Sequence, residues 1–169
     1  KKAFRFCKKP GITVSDAMPL SWIYSKITGL RNRFYDRDVF ETVDLGLPTI
    51  SVGNLTTGGT GKTPLVAYIA KIMMEREEKV CILTRGYRRA DPKSRVLVSD
   101  GEKIVAEPLN AGDEPYELAQ RLRGKAVIIA DRDRVSAAEW AKGKFGVTIF
   151  VLDDGFQHRR VKRGVDIVC

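Results

Sequence analysis

The 169-residue chain carries 30 Lys and Arg against 21 Asp and Glu, a formal charge of +9, and that length supports one domain with a real core and leaves little room for a second full one. Three cysteines, Cys7, Cys81 and Cys169, stand far apart without C-x-x-C spacing, which argues against a disulfide framework or a zinc site and fits a reducing compartment. No window nears the roughly 18 consecutive apolar residues of a spanning helix, and no signal-peptide core lies near the start.

The positive charge is concentrated at the beginning, where residues 1–40 hold nine basic and three acidic side chains, a net +6 of the total +9. Residues 19–35 set Leu20, Ile23, Ile27, Leu30 and Phe34 at spacings of three and four, one face of a helix. Trp22 and Tyr24 flank that face, and Lys26, Arg31 and Arg33 supply cations. Such a helix suits a membrane interface, and equally the outside of its own domain's core. We therefore divide the chain into a basic segment, 1–47, and a domain over 48–169. There is no initiator methionine, and the last residues read as a strand interrupted in mid-course, so a longer protein is expected.

Residues 48–52 read as a short buried strand and 62–78 as a helix with Leu65, Val66, Ile69, Ile72 and Met73 at helical spacing. Between them runs Thr56-Thr57-Gly58-Gly59-Thr60-Gly61-Lys62-Thr63. Glycines let a backbone curl around phosphate oxygens, and the following helix N-terminus offers free N–H groups and a favourable dipole. The pattern is that of a P-loop except for Thr56 at the first glycine position: Lys62 would reach the β- and γ-phosphates and Thr63 would ligand magnesium. Pro64 is compatible with a first helical turn, where N–H groups have no intrahelical partner.

Farther on, β-rich runs at 80–84, 126–130, 147–152 and 165–168 alternate with helical ones at 114–122 and 134–145. This predicts βαβ units and an α/β fold of the P-loop NTPase kind, a mostly parallel sheet flanked by helices. Residues 95–99 and 103–106, joined across Asp100-Gly101, read as a small inserted β-hairpin.

The run 147–152 ends in Asp153 and Asp154, the form of a Walker B strand whose aspartate holds magnesium beside the P-loop threonine. A strand closing in a plain Asp-Gly turn would look the same, and which of the two carboxylates touches the metal stays open. Asp113 precedes the second helical run. It serves either as a helix cap or as the carboxylate that takes the acceptor's proton in a kinase. His158 is the one histidine, in a polar loop, and Arg85 follows the second strand, where its cation could meet phosphates or simply solvent.

Together, Ser51-Val52-Gly53-Asn54 running into Gly58-Gly59-Thr60-Gly61-Lys62-Thr63-Pro64, Thr84-Arg85-Gly86-Tyr87, Gly112-Asp113-Glu114-Pro115, Asp133-Arg134-Val135 and Asp153-Asp154-Gly155-Phe156-Gln157-His158 closely resemble the tetraacyldisaccharide 4′-kinase family, the lipid A 4′-kinases of Gram-negative bacteria. Order and spacing match over nearly the whole chain. The resemblance implies a phosphotransferase with ATP and Mg2+, phosphorylating the 4′-hydroxyl of tetraacyldisaccharide 1-phosphate at the cytoplasmic face of the inner membrane. Residue by residue it implies Lys62 and Thr63 for phosphate and magnesium, Asp113 as catalytic base, and Asp153, Asp154 and His158 around the metal and γ-phosphate. It also excuses Thr56, since the family tolerates a non-glycine there. In the family the catalytic aspartate works with a histidine from a C-terminal half absent from this sequence. The anionic lipid acceptor gives the basic helix a reason to meet an anionic membrane surface.

The alternatives fit less well. A GTPase needs Asn-Lys-x-Asp, which does not occur. Another P-loop ATPase or synthetase, of the dethiobiotin synthetase or partitioning-ATPase kind, would not be expected to carry Asp-Asp-Gly-Phe-Gln-His. A nucleic-acid module would spread its charge along a face with interleaved aromatics. Neither nucleic acid nor a protein partner is expected.

Overall fold

A computed structural model describes residues 42–53, 61–87, 89–155 and 160–169. The helix expected over 19–35, together with Thr56, Thr57, Gly58, Gly59, Thr60 and His158, lies outside the described residues. Residues Thr42–Cys169 form one compact unit. In chain order its elements are β1 (Thr49–Gly53), α1 (Lys62–Glu75), β2 (Val80–Thr84), β3 (Val96–Asp100), α2 (Pro108–Ala111), α3 (Asp113–Arg121), β4 (Val127–Ala130), α4 (Arg134–Phe145), β5 (Ile149–Asp153) and β6 (Val165–Val168).

The strands form one sheet in the order β3-β4-β2-β5-β1-β6, parallel throughout except where β3 meets β4. The central strands read as unbroken apolar runs because both faces are covered. Val80, Ile82, Ile128, Ile149 and Val151 point to one side, packed with Val66, Ile69 and Ala70 of α1 and Leu118 and Ala119 of α3. Cys81, Leu83, Val127, Ile129, Phe150 and Leu152 point to the other, against Ala137, Ala138 and Ala141 of α4. The alanines let α4 lie close to the sheet. Each fully buried Leu, Ile or Phe contributes on the order of 1.5–3 kcal/mol. The core extends before residue 48, since Leu45 is 1% exposed and packs with the α4 face.

One expectation needs correction. Helix α1 stops at Glu75, not Glu78. Glu77 takes a left-handed φ of 64°, its N–H donates to the Met74 carbonyl, and the Glu78 N–H donates to the Met73 carbonyl. That is a Schellman ending with glutamate where glycine usually sits, so no sequence signal marks the stop. The hairpin expected across Asp100-Gly101 is present: its first arm is β3, an edge strand of the main sheet, and its return arm pairs back through the bridge Ser99↔Ile104 and the Val105 N–H, which donates to the Val98 carbonyl at 2.9 Å.

Candidate functional site

Parallel strands bring their carboxyl ends to one edge, where ligands of open α/β sheets bind. Strand β1 pairs directly with β5, with Val52 opposite Asp153. The chain leaving β1 returns at Gly61, which caps α1 with a left-handed φ of 76°, and Lys62 and Thr63 open the helix. Beside them stand Thr84 at the end of β2, Asp131 and Arg134 after β4, and Asp153 and Asp154 closing β5.

Lys62 Nζ donates to Asp154 Oδ1 at 2.8 Å, joining two sequence-predicted residues 92 positions apart. Burial works against the Lys62 ammonium, but the hydrogen bond and charge of Asp154, with Asp153 and Glu114 behind it, hold its pKa above the ordinary lysine value. Asp154 itself adopts a left-handed φ of 54°. The next turn is held firmly: the Gly155 N–H donates to the Val52 carbonyl at 3.1 Å, and Arg163 Nη1 donates to the Gly155 carbonyl at 3.1 Å.

Asp153 is 3% exposed. Burial, the charges of Glu114 and Asp154, and only partial relief from the Thr84 hydroxyl and Lys62 push its carboxyl up to about 6. Asp153 and Asp154 offer hard oxygen donors of the kind a divalent cation takes, beside the Lys62 ammonium. Among the described residues no group of three or more His, Cys, Asp or Glu is arranged to hold a metal by protein ligands alone. Thr63 is half-buried at the helix head.

Asp113 is the first residue of α3, exposed, and its side chain makes no capping hydrogen bond; Gly112 occupies the cap position. Asp133 shows what a capping aspartate does in this fold, accepting from the Val135 and Ser136 amides at 3.1 and 3.2 Å. Asp113 therefore stands at the ligand edge without a capping hydrogen bond. Its position depends on Gly112, whose φ is 86° and where a Cβ would lie 2.6 Å from the Tyr87 carbonyl oxygen. Gly112→Ala is expected to lower stability by about 1–3 kcal/mol from backbone strain alone, and to lower activity by moving Asp113; thermal melts and turnover at low temperature read the two effects separately.

Sequence reasoning missed two participants. Glu114, not Asp113, is the α3 carboxylate whose charge reaches Lys62 and Asp153. Arg134 is 5% exposed, its Nε has no partner among the described residues, and it faces Arg85, Asp153, Asp154 and Asp131. Burial first, and repulsion from Arg85 second, lower its pKa against the pull of those carboxylates. The only sequence signal was its place in the Asp133-Arg134-Val135 motif.

Known proteins resemble this chain in sequence and in fold. Residues 17–169 match the family described as Tetraacyldisaccharide-1-P 4'-kinase. The tetraacyldisaccharide 4'-kinase of Desulfotalea psychrophila is 42% identical over 161 residues, covering 95% of this chain and 46% of that protein. The enzyme of the same name from Aquifex aeolicus is 40% identical over 154 residues, covering 91% and 48%. A crystal structure of LpxK from Aquifex aeolicus in complex with ATP superimposes with a TM-score of 0.85 at 40% identity, over 91% of this chain and 48% of that one. The chain thus spans about half the length of these relatives. With residues 17–169 matched by the family and 95% of the chain aligned at 42% identity to one of its members, the chain belongs to the tetraacyldisaccharide-1-phosphate 4'-kinase family.

Proposed function

We propose that this chain is the nucleotide-binding part of a kinase that transfers the γ-phosphate of ATP to the 4′-hydroxyl of tetraacyldisaccharide 1-phosphate, a step of lipid A biosynthesis. The observation that carries the reading is the Lys62–Asp154 pair at the head of α1, beside the buried Asp153. In it, Lys62 leaves Asp154 for the β- and γ-phosphate oxygens when nucleotide arrives, and the α1 N-terminus adds its dipole. Residues Thr56, Thr57, Gly58, Gly59, Thr60 and Gly61 wrap the phosphates, and His158 joins the γ-phosphate side. Magnesium, held by Thr63 and by Asp153 or Asp154, would neutralise phosphate charge. Asp113 accepts the proton of the sugar hydroxyl as in-line transfer proceeds. Positioning and charge neutralisation supply most of the rate.

The acceptor is an anionic lipid, so the reading includes an inner-membrane surface facing the cytoplasm as the place of work. Its support is the net +6 of residues 1–40 and the amphipathic spacing over 19–35. Among the described residues no helix is long and apolar enough to cross a membrane. The test is phosphorylation of the tetraacyl disaccharide 1-phosphate in detergent micelles or anionic vesicles by the full-length protein with labelled ATP. A labelled 4′-phosphate is expected. No such product would overturn the assignment, and activity indifferent to removing residues 1–40 would overturn the membrane part.

A further inference from the structure

The antiparallel strand β3 has no part in the P-loop pattern, yet its register is informative. Val96 pairs with Ala130, the last residue of β4. Arg95 therefore falls level with Asp131, where β4 has ended and the connection to α4 begins. Arg95 Nε donates to Asp131 Oδ2 at 2.7 Å, and its Nη2 donates to Ser136 Oγ at 2.6 Å in the first turn of α4. The guanidinium carbon also lies 5.5 Å from the centre of the Trp140 ring, one turn farther along that helix.

Asp131 passes the constraint on. It is 8% exposed; its Oδ1 accepts from the Asp133 N–H at 2.9 Å, and its own N–H donates to the Thr84 carbonyl at 3.0 Å. Asp133 then caps α4, whose first residue is Arg134. One arginine just before the edge strand thus holds Asp131, whose own N–H meets Thr84, the residue that bonds Asp153, and whose carboxylate meets Asp133, the residue that caps the helix opened by Arg134. Holding a buried guanidinium against Arg85 is unfavourable by itself, so its position must be imposed by its surroundings. A fork with two hydrogen bonds and a ring contact imposes one orientation, which a lysine's single ammonium does not.

We propose that Arg95 is a positioning residue for the phosphoryl-transfer site, acting through Asp131 to hold the β4–α4 connection and thereby Arg134. The proposal rests on the kinase reading above. Misplacement of a catalytic-edge group by about 1 Å costs up to roughly a hundredfold in rate, and partial release by loss of one brace is expected to cost about tenfold.

The experiment uses the full-length kinase and its Arg95→Ala, Arg95→Lys, Arg134→Ala and Arg95→Ala/Arg134→Ala variants, assayed well below their melting temperatures. Expected are a kcat lowered about tenfold in Arg95→Ala with a KM for ATP within about twofold of the parent, partial recovery in Arg95→Lys, and no further loss when Arg95→Ala is added to Arg134→Ala. A parental kcat in Arg95→Ala, or losses that multiply in the double variant, would overturn the proposal. Hydrogen exchange at the Asp133 amide, expected to quicken in Arg95→Ala and to hold in Arg134→Ala, reads the same brace without reference to the acceptor; unchanged exchange also overturns it. An inactive parent with quickened exchange would point to failure of the kinase reading instead. Arg95→Lys keeps the charge opposite Asp131 and so supplies the kinetic test if the alanine variant does not fold.

Discussion

Asp113→Ala is expected to lower kcat by about 10²- to 10⁴-fold, the range of a lost general acid or base, with the KM for ATP nearly unchanged and the fold intact. The structural ground for the last part is specific. Asp113 makes no capping bond, and Gly112 holds the cap position, so alanine there gives up only a first-turn charge in the helix dipole, about 0.3–1 kcal/mol. A capping aspartate such as Asp133 would give up two backbone bonds and about 1 kcal/mol or more. The measurement is steady-state kinetics on the full-length enzyme beside its melting curve. A variant that loses stability while retaining kcat within a few-fold of the parent would return Asp113 to a purely structural role.

Asp153→Asn is expected to abolish most activity and, without nucleotide or magnesium, to make the protein more stable at neutral pH. Its carboxyl is pushed from 3.8 up to about 6 by burial and by Glu114. A raised acid pKa means that the native state binds the proton more tightly than the unfolded chain does. The stability linked to that proton is full below about pH 4 and is lost as pH rises through about 6. At about 1.4 kcal/mol per unit, the ionised carboxylate costs on the order of 3 kcal/mol at pH 8. Asparagine has the same shape without the charge. Denaturant unfolding at pH 4 and at pH 8 should therefore give similar stabilities for parent and variant at the lower pH and a more stable variant at the higher. An advantage of the same size at both pH values would show that the buried charge is not its cause. The site thus keeps a carboxylate that the fold by itself disfavours, as sites poised for a cation do.

Much of the fold was legible because its signals are local. Strands β2 and β6 and helix α4 occupy the residues expected from sequence, and α4 carries both its marks, an aspartate that caps it and Gly146 with a left-handed φ of 59° beyond its end. Where α1 and α3 end there is no such mark at the turning position. Glu77 and Arg123, with φ of 64° and 52°, take left-handed positions that glycine usually fills, and Schellman bonds close both helix ends around them. The hairpin was legible from its Asp100-Gly101 turn, and its arms do pair, but β3 also pairs along its length with β4, and no local pattern announces a partner some thirty residues away.

By itself the sequence determined which residue types stand at the helix head and the strand end: Gly61-Lys62-Thr63 and Asp153-Asp154 are each contiguous, and together they form the pattern of a P-loop site. Only the tertiary structure decided how those pieces meet. The pairing of β1 with β5 sets Lys62 against Asp154, the packing of α3 brings the charge of Glu114 to bear on Asp153, and the antiparallel register of β3 sets Arg95 opposite Asp131. Each of these contacts depends on which strands are neighbours. That order follows from summed burial over the whole sheet, a quantity no stretch of sequence contains.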